Sequence, residues 1–375
     1  MREAPGKESG RVRQQIRRMT PTDVFYHVFI DWGSTYLFDK FIKTPRCKDD
    51  VIRHKKDYDK AGFTGAVGSA DTVNIILEKG THRLKQAHLG GKSSLTCRTF
   101  NVVVNNRREI LHTTSGYPAR WNDKTLILFD EFLTNIQSGN ILQDCEFELF
   151  EYNENKVVCK RKYKGCWIIV DNGYFPWPTI IPPFKSVKYR KDFRWSEWLE
   201  SMRKDVECCF GILKGRWRIL KTGIRLHGVE CATKIFKTCC ALHNSLLDID
   251  GTNKGSDSDW LGRMGRHEYE DTTNQISGVL LRLNNLENAN SNIPSNIDTM
   301  LPSELQQIDI TQHPFVMNNV IENITEEYNA SSDILTNESN SESSNVINMS
   351  QEKFRKKLVE HFNILFDQNK IVWPK

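Results

Sequence analysis

Residues 165–174 read GCWIIVDNGY, a short apolar run that ends in an acid and a turn. The run from Trp167 to Val170 holds no charged side chain, which is typical of a strand buried on both faces of a sheet. Asp171 follows it directly. Burying a bare carboxylate is costly, so an acid at this point indicates a functional site at the open edge of a sheet. The alternative is that residues 171–173 form an ordinary turn.

The chain after this strand predicts a long helix at residues 195–217, with apolar side chains recurring at i, i+4 and i+7. Glu207 falls beside this apolar stripe. Arg203 and Lys214 lie within about 40° of it on the helix surface. A helix of this kind can pack its stripe on a sheet and direct Glu207 toward Asp171. The alternative is that Glu207 simply pairs with Arg203.

A glycine-rich stretch upstream, GFTGAVGSAD at residues 62–71, predicts a strand that ends in Asp71. A turn role for Asp71 is the alternative. A turn at residues 105–108 predicts a hairpin between a strand at 99–104 and a strand at 109–114. Further periodic segments predict strands at 99–104, 109–114 and 156–162, and helices at 22–41, 125–136, 229–247 and 351–375.

The charge of the chain is unevenly distributed around a net value of +5. Residues 248–349 hold 17 acidic and 4 basic side chains, and they are rich in Asn and Ser. Residues 185–225 hold 12 basic and 5 acidic side chains. A basic body with an acidic tail favours a polyanionic partner such as nucleic acid, although the basic stretch could also be a solvated helix face.

Two classes of protein are disfavoured by the apolar pattern. No apolar run approaches the roughly 20 residues of a membrane span, and residues 1–20 lack the apolar core of a signal peptide. The ten cysteines show none of the usual zinc-site spacings, so we interpret them as reduced, intracellular thiols.

The three acids Asp71, Asp171 and Glu207 form the candidate catalytic site. Phosphodiester cleavage with two divalent cations needs oxygen ligands that are fixed in space. Carboxylates suit Mg²⁺ because it is a small, hard cation. The three side chains are therefore candidate catalytic residues and candidate metal ligands.

Longer motifs carry a resemblance to a known family. The resemblance covers about residues 20–250 and 351–375, and the chain resembles the PIF/Harbinger group of DDE transposases there. The matching motifs are GSAD at 68–71, PARWNDKT at 118–125, DNGY at 171–174, IPPF at 181–184, WLESMRKDVECCFGILKGRWRIL at 198–220, TCCALHN at 238–244 and FRKKLVEHF at 354–362.

The resemblance implies an α/β fold of the RNase H-like (DDE) type, a mixed sheet flanked by helices. Asp71, Asp171 and Glu207 then correspond to the first, second and third acids, which bind two Mg²⁺ or Mn²⁺ ions. The implied activity is that of a metal-dependent endonuclease or transposase that cuts and joins DNA. The residues expected to contact DNA are Arg203, Lys214, Arg216, Arg218 and Lys221.

The implied partner is double-stranded DNA, both transposon ends and target. The implied location is the nucleus, and no membrane partner is expected. A separate Myb-like DNA-binding protein and a homo-oligomer are compatible with the family. The expected domains are a basic, helical lead-in at 1–60 that is a truncated DNA-binding region, a nuclease domain at 61–250, a low-complexity, disordered acidic linker at 251–350 and a short terminal helix at 351–375.

Two other functions stay open on the sequence. One is a catalytically silent, transposase-derived factor that binds DNA or protein, which the apparent lack of an upstream DNA-binding domain favours. The other is a host repair or RNA nuclease with the same fold.

Overall fold

The computed structural model of the chain describes residues 25–79, 87–89, 95–226, 228–250 and 344–373. Its strands, in chain order, are β1 (Ala66–Ile76), β2 (Cys97–Val104), β3 (Ile110–Thr113), β4 (Tyr117–Pro118), β5 (Glu146–Tyr152), β6 (Val158–Lys164), β7 (Trp167–Ile169), β8 (Ile180–Ile181) and β9 (Ser344–Asn345).

Helices surround these strands. Two π-helical segments, Phe25–Ile30 and Gly33–Leu37, come first, and a 3₁₀ turn at Val346–Asn348 precedes the last helix. The α-helices are α1 (Phe38–Phe41), α2 (Lys48–Lys60), α3 (Asp123–Ile127), α4 (Glu131–Gln137), α5 (Arg190–Arg216), α6 (Arg218–Thr222), α7 (Val229–Asp250) and α8 (Gln351–Asp367).

The main sheet is mixed, with the strand order β3-β2-β1-β7-β8 and with β4 also paired to β2. The hairpin strands β1, β2 and β3 pair antiparallel, whereas β1 pairs parallel with β7 and β7 pairs parallel with β8. The fold is therefore a mixed α/β fold in which a mixed sheet is flanked by helices.

Helix α5 holds two buried clusters together. Its N-terminal half places Trp195, Leu199 and Met202 among the buried side chains around Trp167 of β7. Its C-terminal half contributes to a second cluster, against β1, β2 and α7, through Val206, Cys209 and Leu213. Because one apolar stripe serves both clusters, the middle of α5 is fixed over the sheet.

A separate three-stranded sheet has the order β5-β6-β9, and it supports α8. Phe362 of α8 stacks on Phe63 at a ring-centroid distance of 5.5 Å, and Phe354 lies 6.3 Å from Phe147 of β5. The predicted terminal helix therefore packs back on the body of the protein.

Several sequence predictions need correction. Residues 125–136 form two helices rather than one, because the buried Asp130 caps α4 by accepting hydrogen bonds from the N–H groups of Phe132 and Leu133. The helix predicted from Trp195 begins at Arg190. The strand predicted to end at Asp71 continues to Ile76, because β2 pairs with it along its whole distal half.

Other predictions are confirmed or lie outside the described residues. Strands occur at the predicted positions of β2, β3, β6 and β7, and all three residues of β7 are buried. Residues 25–60 of the expected lead-in are helical in part, and Val51 and Tyr58 are buried in the body. The disordered linker expected at 251–350 lies outside the described residues up to residue 343. Its last residues are ordered, because β9 pairs with β6 and Val346 is buried. Among the helices described here, none has the length and hydropathy needed to cross a bilayer.

Candidate active site

Asp71 and Asp171 lie at the same end of the parallel pair formed by β1 and β7. The last paired residues are Ser69 and Ile169, and each acid follows two residues later in its own strand direction. On its other side, Asp71 pairs with Val102 of β2. Since β7 is short and β1 is long, Asp71 lies within its strand but at the point where its β7 neighbour ends.

The turn after β7 fixes the second acid. Asp171 Oδ1 accepts a hydrogen bond of 2.8 Å from the N–H of Gly173. This is the turn that the Asp-Asn-Gly sequence predicts. The turn and the functional interpretations of Asp171 are therefore compatible, because the turn orients one oxygen and leaves the other for a further partner.

Glu207 of α5 reaches the same region through Arg203. Arg203 Nη1 lies 3.2 Å from Asp71 Oδ2, and Arg203 Nη2 lies 2.7 Å from Glu207 Oε1 and 2.5 Å from Glu200 Oε1. The Arg203 side chain is 10% exposed, whereas that of Glu207 is 49% exposed. The guanidinium thus bridges the first and third predicted acids.

Burial and charge shift the pKa of the first acid. The pKa of Asp71 is raised to about 6, mainly by burial and in part by the neighbouring charges of Asp171 and Glu207. The Thr72 N–H and Arg203 oppose this shift. Burial disfavours the charge of Arg203, but Glu200, Glu207 and Asp71 together raise its pKa above the usual range. Asp171 and Glu207 therefore repel Asp71, and Asp71 and Glu207 share one cationic partner.

One acid of this region, Asp123, was not among the predicted site residues; it is the first residue of α3. Thr72 Oγ1 donates a 3.1 Å hydrogen bond to Asp123 Oδ1. A methyl group built on Gly173 would lie 2.8 Å from Asp123 Oδ2 and 3.0 Å from Asp171 Oδ1, so the two carboxylates border the same small space. The sequence signal for Asp123 is the motif PARWNDKT at 118–125, in which it is the single acid.

A buried polar network lies behind the acids. The Tyr174 hydroxyl donates a 2.7 Å hydrogen bond to Asn101 Oδ1, and Asn101 Nδ2 donates a 2.7 Å bond to Asp130 Oδ2. His112 Nε2 lies 3.4 Å from Asp130 Oδ1. Burial raises the pKa of Tyr174, as do the charges of Asp71, Asp123 and Asp171. The network fixes the DNGY turn to the centre of the sheet.

The predicted DNA-contacting residues lie along the distal part of β1 and beyond it. Lys214 Nζ donates a 3.3 Å hydrogen bond to the carbonyl of Asn74, three residues after Asp71. Arg216 is half-buried at the end of α5, and Arg218 and Lys221 are exposed on α6. Arg203 is thus the predicted basic residue in contact with the acids, and the other four lie in the last turn of α5 and on α6.

The donor chemistry of the site fits a hard divalent cation, because carboxylate oxygens are the ligands that Mg²⁺ prefers. Within the part of the chain that the structure describes, however, no group of three acidic, His or Cys side chains is spaced to hold a metal ion. Arg203 occupies the position between Asp71 and Glu207. A cation shared by these acids therefore requires the guanidinium to withdraw.

Comparison with known proteins gives one family and one curated relative. The model of the plant transposon protein family matches residues 39–254, which include all the acids described above. Protein ALP1-like from Arabidopsis thaliana is 22% identical over 206 residues, 54% of this chain and 48% of the relative. The chain therefore spans about half the length of that relative.

No solved structure matches the chain. The family match covers more than half of the chain and extends from α1 to the end of α7. It includes the strands and the helix that carry Asp71, Asp171 and Glu207. On this evidence of shared sequence, the protein belongs to the plant transposon protein family.

Proposed function

We propose that this protein is a transposase-derived DNA endonuclease of the PIF/Harbinger type, with an RNase H-like catalytic core. The observation that supports the proposal most directly is the meeting of β1, β7 and α5. Asp71 and Asp171 lie just beyond the last residues paired between the parallel strands β1 and β7, and Glu207 shares Arg203 with Asp71. Three acids from distant parts of the sequence thus approach one another, as phosphodiester cleavage with two cations requires.

In this proposal, Asp71, Asp171 and Glu207 hold two Mg²⁺ or Mn²⁺ ions, which when bound supply the Lewis acidity for water activation and for the leaving oxygen. Asp71 is held by its strand and by the Thr72 N–H. Asp171 is oriented by the Gly173 N–H. The rigid placement of these carboxylates lowers the cost of assembling the charged site when DNA binds.

Arg203 has two roles in the proposal. Without DNA and metal, its guanidinium neutralises Asp71 and Glu207. When these acids are occupied, the guanidinium is released, and its planar set of donors suits a phosphate oxygen pair. Arg203 is on the same helix as Glu207. Its side chain therefore remains beside the site after the guanidinium has moved off the acids.

The proposed partner is double-stranded DNA, including transposon ends and a target. Lys214, Arg216, Arg218 and Lys221 would contact its phosphates, since basic residues positioned along one path neutralise a polyanionic backbone. A nuclear location, a Myb-like DNA-binding partner and a homo-oligomer belong to the same proposal.

Nicking of supercoiled plasmid in Mg²⁺ or Mn²⁺ tests the proposed activity. Asp171→Asn should reduce the rate at least about 100-fold, the scale on which loss of one group that stabilises a transition state is measured. Glu352→Gln is the control, because Glu352 pairs with Lys356 on the exposed surface of α8. If Asp171→Asn nicked DNA at the wild-type rate in the presence of metal, the assignment of Asp171 to the active site would be wrong.

The silent-factor alternative gives a different result in the same assay. A catalytically silent protein would bind the plasmid but leave it supercoiled in every metal tested, with no difference between the two variants.

A further inference from the structure

Three aromatic rings cluster in the segment that runs from β4 through α3 to the start of α4. Trp121 lies 5.4 Å from Tyr117 and 5.0 Å from Phe129, measured between ring centroids, and Tyr117 and Phe129 are 6.1 Å apart. The planes of Tyr117 and Trp121 are inclined by 17°. The three rings thus form a continuous aromatic patch, which we call the aromatic platform.

The platform is on the surface rather than in the core. The three rings are not part of the two buried clusters, and Phe129 is 43% exposed. The Tyr117 hydroxyl donates a 2.7 Å hydrogen bond to the carbonyl of Phe129, which closes the loop on itself. Tyr117 and Trp121 are partly exposed. Aromatic rings that are held next to one another and still reach the surface favour a binding surface.

The platform is joined to the candidate active site through a very short segment. Trp121 precedes Asp123 by two residues, so their Cα atoms are at most about 7.6 Å apart. Asp123 in turn accepts a hydrogen bond from Thr72 and borders the same space as Asp171. A DNA strand that reaches the acids therefore passes close to the platform.

The exposed charges of this loop are mostly basic. Arg120 and Lys124 are exposed on either side of Trp121, and Glu131 is an exposed acid at the start of α4. Asp130 is fully buried and Asp123 faces Thr72. The platform thus combines ring faces with cations that can meet a phosphate backbone.

We propose that the aromatic platform of Tyr117, Trp121 and Phe129 binds an unpaired nucleobase of the DNA strand held at the active site. The proposal rests on the proposed nuclease function. Bases inside a duplex already stack on each other, so only a base that has left the duplex offers a free face. Aromatic rings bind such bases with little sequence preference, because every base has a π-face.

Binding without divalent metal tests the platform independently of cleavage. The measurement is fluorescence anisotropy of a labelled single-stranded oligonucleotide and of the same sequence as a blunt duplex, in EDTA and at one fixed salt concentration. Trp121→Ala should weaken single-strand binding by about tenfold and change duplex binding by less than about twofold, given the energies of base–aromatic stacking. Trp121→Phe, which keeps a ring, should recover most of the loss.

A matched aromatic pair elsewhere gives the control. Trp32 is 45% exposed and stacks on Tyr36 at 5.6 Å in the N-terminal helical segment. Trp32→Ala should leave both affinities unchanged. An equal loss of single-strand and duplex binding in Trp121→Ala, or no loss in either, would overturn the proposal.

A second measurement does not depend on how well a variant folds. Wild-type protein should quench the fluorescence of a 2-aminopurine placed at an unpaired position of a duplex, because stacking on a ring quenches this base. No quenching would overturn the platform. Absence of plasmid nicking by the wild-type protein in Mg²⁺ or Mn²⁺ would overturn the proposed nuclease function while leaving these binding results intact, so the two failures are distinguishable.

Discussion

Arg203 Nη1 lies 3.2 Å from Asp71 Oδ2, although the two residues are 132 positions apart in the chain. The same guanidinium also bonds to Glu200 and Glu207. One cation of the protein thus bridges Asp71 and Glu207, two of the three acids that we propose as metal ligands. Any divalent ion that binds there competes with this side chain for the same oxygens.

Arg203→Gln tests this competition through stability. The variant should lose about 2 kcal/mol of unfolding free energy in EDTA, less than for a fully buried ion pair because Glu200 and Glu207 are partly solvated. Its melting temperature should fall by about 4–8 °C. Adding Mg²⁺ should restore part of this loss, because the ion replaces the missing charge. Differential scanning fluorimetry with and without Mg²⁺ measures both effects.

Arg194→Gln is the matched control on the same helix. Arg194 pairs with the exposed Asp367 and lies over the ring of Phe366, so its loss should not be rescued by Mg²⁺. If Mg²⁺ stabilised Arg203→Gln no more than it stabilises the wild type, Arg203 and the metal would not share a site.

The spacing of the acids can be altered through one glycine. Gly173→Ala would place a methyl group 2.8 Å from Asp123 Oδ2 and 3.0 Å from Asp171 Oδ1, which forces the two carboxylates apart. Nicking should fall by at least about tenfold, since small displacements of reacting groups have large effects on rate. Unfolding free energy should change by less than about 1 kcal/mol, because the flanking groups are half-exposed.

Gly211→Ala is the companion substitution on α5. No atom lies within 4 Å of the added methyl group, so this variant should keep its activity and gain about 0.5–1 kcal/mol from helix propensity. Plasmid nicking and urea unfolding measure the pair. Full activity in Gly173→Ala would show that the distance between Asp123 and Asp171 has no role in catalysis.

Tyr174→Phe removes one hydroxyl from the buried network. Asn101 Oδ1 would lose its donor in a place where Asn101 is fully buried, and an unsatisfied buried acceptor costs about 1–3 kcal/mol. Urea unfolding should show this loss. Tyr189→Phe is the control, because Tyr189 is 71% exposed. Equal stability of the two variants would mean that the network does not fix the DNGY turn.

His361 of α8 should make the protein sensitive to acid. Its Nδ1 accepts a 2.8 Å hydrogen bond from the Phe150 N–H, and burial lowers its pKa to about 4. The unfolded chain binds a proton near pH 6.5, whereas the folded protein does so near pH 4. The stability contributed by the neutral ring is therefore complete above pH 6.5 and is lost as the pH falls toward 4.

His361→Asn isolates this contribution. The difference in unfolding free energy between wild type and variant should shrink by about 3 kcal/mol between pH 7 and pH 4, the equivalent of the lowered pKa. Urea unfolding at several pH values measures it, and all other groups cancel in the difference. A difference that stays constant across this range would contradict the pKa of His361.

Local patterns predicted the elements whose side chains repeat regularly. The apolar run of β7 and the stripe of α5 are examples, and the position of Glu207 beside Arg203 followed from helix geometry. The full length of β1 could not be predicted, because Asp71, Thr72 and Asn74 interrupt its apolar pattern. These polar side chains are accommodated by partners from elsewhere in the chain, such as Asp123 at Thr72.

The part of the site that depends on distant contacts was not predictable from spacing. Asp123 belongs to the candidate site because α3 lies beside β1, where the Thr72 hydroxyl donates a hydrogen bond to it. Asn101 in the strand TFNVVV looks like an interruption of an apolar run, but it is the centre of the network that includes Tyr174 and Asp130. Such partners are fixed by tertiary packing rather than by local sequence.

The stacking of Phe362 on Phe63 has a consequence for synthesis of the protein. Phe63 is made early, and its partner follows almost 300 residues later. At roughly 5–20 residues per second, the ribosome needs on the order of 15–60 s to supply that partner. During this interval the nascent chain exposes an apolar surface next to the strand that carries Asp71, and chaperones have time to bind it.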